Sequence, residues 1–88
     1  MKYKSRRLMP QPYTYERKEG EMKITTVVNG YDVYTEVWVP PRRSYAWNIH
    51  IPWGEDSDEL LEQYSEVTKA ERIAVKEHIA EVAEREGL

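Results

Sequence analysis

The dipeptide Asn29-Gly30 constrains this chain more than any other feature. It separates two runs rich in β-branched and aromatic residues, Met22 to Val28 and Tyr31 to Val39. A two-residue loop between paired strands needs positive φ at its centre, which Asn and Gly supply at little cost. With Asn29 and Gly30 as the whole loop, Val28 pairs with Tyr31, Thr26 with Val33, Ile24 with Thr35 and Met22 with Val37, all on one face. The other face sets Val27 against Asp32, Thr25 against Tyr34 and Lys23 against Glu36. One face is apolar and the other mostly polar, so the hairpin needs a cover on one side only.

Strands on either side extend this pattern. Tyr13 to Lys18 ends at a second turn signal, Glu19-Gly20. A two-residue loop there sets Tyr15 opposite Ile24, Thr14 opposite Thr25 and Glu16 opposite Lys23, which makes a row of alternating sign from Glu16 through Lys23 to Glu36. Beyond Val39, Pro40-Pro41 interrupts the ladder because neither residue donates a backbone hydrogen bond. From Tyr45 the alternation resumes, with Tyr45, Trp47, Ile49 and Ile51 on the apolar side and Ala46, Asn48 and His50 on the other. A five-residue loop places Trp47 opposite Val37, Ile49 opposite Thr35 and Ile51 opposite Val33. The expected sheet is an antiparallel meander with strands at about 13–18, 22–28, 31–39 and 45–51.

The sheet signal stops at Pro52-Trp53-Gly54, and the pattern turns helical. Asp56 and Glu59 have the spacing of a capping box, as do Thr68 and Glu71. Leu60, Leu61, Tyr64 and Val67 recur at helical spacing, but a straight continuation would bring Glu71 into the same stripe. A break at Ser65 to Thr68 is therefore expected, with helices at about 57–66 and 69–86. The apolar line of the second is Val75, Ile79, Val82 and Ala83, flanked by Ala74 and His78, and Gly87 supplies its stop. The fold class is α+β: a four-stranded antiparallel β-meander with one face covered by a C-terminal kinked helix or helix pair. Residues 13–88 form the single domain, and residues 1–12, with Pro10-Gln11-Pro12 and no apolar period, read as a flexible basic arm.

Charge is divided along the chain. Residues 1–54 carry nine Lys and Arg against five Asp and Glu, whereas residues 55–88 carry four against eleven. A surface of one sign steers association with a partner of the other. The chain has 88 residues and no cysteine, which excludes disulfides and thiolate metal sites. No window reaches the ~18 apolar residues of a membrane span. A cytoplasmic protein with no membrane partner is the expectation.

Chemistry-bearing patterns are sparse. His50 and His78 are the only histidines, and a zinc site built on them would have to recruit scattered carboxylates. No glycine-rich phosphate loop and no nucleophile, histidine and acid spacing is present. An enzyme is not expected, nor a cofactor or metal. His78 reads as a packed, hydrogen-bonded residue. The uncovered sheet face is the richer surface, because Tyr34 and Trp38 protrude from one strand with His50 beside Tyr34, and aromatic side chains dominate interface hot spots.

The favoured reading is a small non-enzymatic protein-interaction module that docks on another protein or protein complex. It would use that aromatic face, the Arg42-Arg43 loop, or the acidic helices with Glu62, Glu66, Glu77, Glu81 and Glu84. In the helical version it would imitate nucleic-acid charge, as an inhibitor of the kind phages direct against host defence. The alternative is a DNA- or RNA-binding module that uses Lys2, Lys4, Arg6, Arg7 and Arg17 with the Arg42-Arg43 loop. A second alternative is a structural or assembly subunit, which predicts a concentration-dependent oligomer. Ile73 faces away from the apolar line of its helix, where a homodimer or another partner would cover it.

Overall fold

The computed structural model describes residues 13–30, 32–40 and 47–87. Four strands, β1 (Tyr13–Glu19), β2 (Met22–Asn29), β3 (Asp32–Val39) and β4 (Trp47–Pro52), precede two helices, α1 (Ser57–Leu61) and α2 (Lys69–Glu86). The strands pair in sequential order, each antiparallel to its neighbour. This is the α+β meander that the alternation implies. The arm, Tyr31, Tyr45, Ala46 and the Arg42-Arg43 loop lie outside the described residues, and for Trp47 only the backbone position is described.

Every strand presents the face its alternation dictates, yet all three registers differ from expectation by two residues. The first loop is Gly20-Glu21 and the second begins at Gly30, because Glu19 pairs with Met22 and Asn29 with Asp32. Each loop thus begins at its glycine, where φ is 62° at Gly20 and 64° at Gly30. The matching of side chains gives the physical reason. The expected register set each inward threonine against an aliphatic residue, whereas the observed one sets Ile24 against Val37, Val28 against Val33 and Thr26 against Thr35. The two threonine hydroxyls, both buried, lie 2.7 Å apart and bond to each other. Across the next pair, Val37 meets Ile49, Thr35 meets Ile51 and Val39 meets Trp47, so the connection is longer than five residues. An even shift leaves every side chain on its own face.

The inner face is closed by the helices. Met22, Ile24, Val37, Val39, Ile49 and Ile51 from the sheet form one apolar cluster with Leu61, Val67, Ala74 and Val75. Helix α1 stops at Leu61, short of the expected residue 66. The chain continues through two four-residue turns, with Tyr64 N–H bonded to the Leu61 carbonyl at 3.0 Å and Val67 N–H to that of Tyr64 at 3.0 Å. Those turns carry Leu61, Tyr64 and Val67 onto the core at a spacing that resembles a helical one. The α1 cap also differs, since Asp56 accepts from the Asp58 N–H at 3.0 Å. Thr68 and Glu71 form the reciprocal capping box anticipated for α2, and Gly87 ends that helix at φ 72°.

Helix α2 packs on β1 and β2. Its buried line runs through Ala74, Val75, His78 and Val82, with Ile79 and Ala83 only half-buried. His78 therefore sits at the centre of the contact, where its Nε2 lies 3.0 Å from Thr26 Oγ1. Buried hydroxyls need partners, and this orientation of the helix joins the imidazole to the Thr26–Thr35 pair in one chain of hydrogen bonds. Polar contacts at the sheet margin add to it. Arg17 on β1 bridges to Glu77 at 3.2 Å, and the Tyr13 and Tyr15 hydroxyls both donate to the Glu86 carboxylate.

Candidate interaction surface

The outer face of the sheet is built by the residues that alternate with the core, and the register arranges them in three rows across the strands. Thr14, Val27, Tyr34 and Pro52 form an apolar row. Glu16, Thr25, Glu36 and His50 form an acidic one, and Lys18, Lys23, Trp38 and Asn48 form a basic one. Neighbouring rows are two residues apart along each strand, or about 6.7 Å. None of the described helices lies on this side, since both pack against the inner face.

Trp38 is 44% exposed between the buried Val37 and Val39, so its indole stands on the outer face while its neighbours enter the core. Tyr34 is half-buried and its ring stacks on His50, with centroids 4.4 Å apart and planes inclined by 25°. The expected register put His50 directly opposite Tyr34. Observed pairing sets His50 opposite Glu36, and the stack is a diagonal contact.

The basic row corrects the expected charge alternation. Lys23 does not face Glu16 and Glu36; its direct neighbours are Lys18 on one side and Trp38 on the other. A diagonal bridge from Lys23 to Glu16 remains, at 3.5 Å between exposed side chains. Lys18 has no carboxylate partner among the described residues. Row membership of Lys18, Lys23 and Asn48 escaped the sequence reading. The signal was available in Gly20 and Gly30, each of which suits the first position of a Gly-X loop as well as the second position of an X-Gly loop.

The other nominated residues are dispersed. Arg17 lies on the covered side of β1, between Glu77 and Glu19, with its charge committed inside the fold. Lys2, Lys4, Arg6, Arg7, Arg42 and Arg43 lie outside the described residues. Glu62 is exposed and Glu66 half-buried in the connection between the helices. On α2, Glu77 engages Arg17, Glu81 lies 3.9 Å from Arg85, and Glu84 is exposed. Ile73, 47% exposed, is on the outward side of that helix. His78 is 2% exposed and belongs to the core.

Among the described residues no three His, Asp or Glu side chains converge as metal ligands would, and no helix is long and apolar enough to cross a membrane. No family model matches the chain, and neither a curated protein nor a solved structure shows significant similarity to it.

Proposed function

We propose that this chain is a small non-enzymatic interaction module that docks on another protein through the outer face of its sheet. The exposure of Trp38 carries the reading, because a large aromatic ring left in solvent on a flat face loses stabilisation that burial against a partner restores. Tyr34 and His50 support it as a rigid pair that loses little conformational freedom on contact. The helical, charge-imitating version has less support, since Glu77 and Glu81 face cations of their own chain.

The test is affinity capture from extracts of the source cell with the wild-type chain and with Trp38→Asp as baits. Partners retained by the first and lost by the second are the expected result. Identical capture by both, with Trp38→Asp still folded by circular dichroism, would refute docking through this face.

A further inference from the structure

Within that docking reading, we infer that the partner presents an extended polypeptide segment that places carboxylates over the Lys18, Lys23 and Trp38 row. Lys18 and Lys23 are directly opposed on adjacent strands and both are exposed, and like charges so placed repel. Among the described residues only Lys23 of the two reaches a carboxylate, the diagonal one of Glu16. An incoming anion relieves this repulsion, and Trp38 beside it supplies an apolar surface for the same segment.

The adjoining rows decide which anion. Glu16 and Glu36 stand about 6.7 Å from the basic row, within the ~8 Å screening length of physiological salt. A nucleic-acid backbone is negative along its whole length and would meet those glutamates wherever it met the lysines. A polypeptide escapes this conflict. Side chains on one face of an extended segment also repeat every two residues, or about 6.7 Å, so a segment lying along the strands sets an acidic residue over Lys18 and Lys23, a basic one over Glu16 and Glu36, and an apolar one over Val27 and Tyr34.

Four strands and three rows span roughly 20 Å by 20 Å, on the order of 400 Å² per partner against ~800 Å² for a standard interface. A short synthetic segment on this face alone is therefore expected to bind weakly, with salt sensitivity and rapid exchange, which nuclear magnetic resonance reads directly.

The experiment titrates the isotope-labelled full chain with synthetic peptides whose leucine, lysine and glutamate are spaced two apart, in both chain directions. Control peptides carry lysine in place of the glutamate, and oligothymidylate serves as a polyphosphate probe. Shifts of the Lys18 and Lys23 amides and the Trp38 indole are expected with the glutamate peptides, at about three- to tenfold lower concentration than with the controls. Lys18→Glu with Lys23→Glu should abolish that preference. Equal response to both peptide sets, no response, or shifts confined to other residues would overturn the inference, as would oligothymidylate acting on the same resonances at lower concentration than the peptides. If cellular capture depends on Trp38 and survives Lys18→Glu with Lys23→Glu, docking through the face stands and the acidic segment falls.

Discussion

His78 Nε2 lies 3.0 Å from Thr26 Oγ1 in the middle of the contact between α2 and the sheet. Burial holds the imidazole pKa below its ordinary 6.5; the nearby Glu81 opposes this and Arg17 adds to it. The folded state thus binds the proton less readily than the unfolded chain does. The contribution to stability is complete above pH 6.5 and declines as the pH falls from there toward the depressed folded value, with a slope of at most about 1.4 kcal/mol per pH unit. Urea denaturation at pH 7.5 and 5.5 should show the loss in the wild type and a smaller one in His78→Gln. An equal loss in both would remove the imidazole from the acid response.

Tyr13 and Tyr15 both donate to Glu86 in the last turn of α2, where a carboxylate meets the negative end of the helix dipole. Hydrogen bonds from Tyr15 and Tyr13 hold the Glu86 pKa below the usual carboxylate value, and the same contacts raise both phenols above 10. The clamp therefore acts between those limits. It is lost as acid protonates Glu86 through its depressed folded pKa, and it weakens above pH 10, where the unfolded tyrosines ionise first. Tyr15→Phe should lower the Tm at neutral pH and speed amide exchange across Arg85 to Gly87. Unaltered exchange there would show that the last turn holds without the clamp.

Gly30 begins its loop at φ 64°, and a Cβ built there meets nothing within 4 Å. Gly30→Ala therefore costs only the backbone strain of a positive φ, about 1–2 kcal/mol. Asn29, by contrast, pairs with Asp32 inside the ladder and needs no special conformation. Asn29→Thr should change stability by less than ~0.5 kcal/mol. Equilibrium unfolding of the two variants checks the register, because a loop made of Asn29 and Gly30 would make Asn29→Thr costly as well.

These contrasts also explain what the amino-acid order discloses. Alternation determines which side of the sheet Ile24, Val37 and Trp38 occupy, and a slip of two residues leaves that assignment untouched, so the faces were legible and the register was not. The Thr68 and Glu71 box and Gly87 mark the ends of α2 through local hydrogen bonds, which sequence spacing encodes. The end of α1 has no such mark, since Leu61, Tyr64 and Val67 hold nearly helical spacing through turns. On the outer face, the aromatic residues could be placed by parity alone. The Lys18 and Lys23 pairing could not, because it depends on the register.

The separation of the two faces makes a last quantity measurable. Val37 is fully buried and Trp38, next to it, is 44% exposed. Truncation to alanine at Val37 leaves a cavity among Ile24, Ile49 and their neighbours and should cost about 2–3 kcal/mol. Trp38→Ala removes a partly exposed ring on the outer face, where its cross-strand neighbours are Lys23 and Asn48, and should cost less than about 1 kcal/mol. Chemical denaturation of the two variants checks the contrast. A penalty at Trp38 equal to that at Val37 would mean that the indole is held by the fold itself, and the case for a docking partner would lose its principal support.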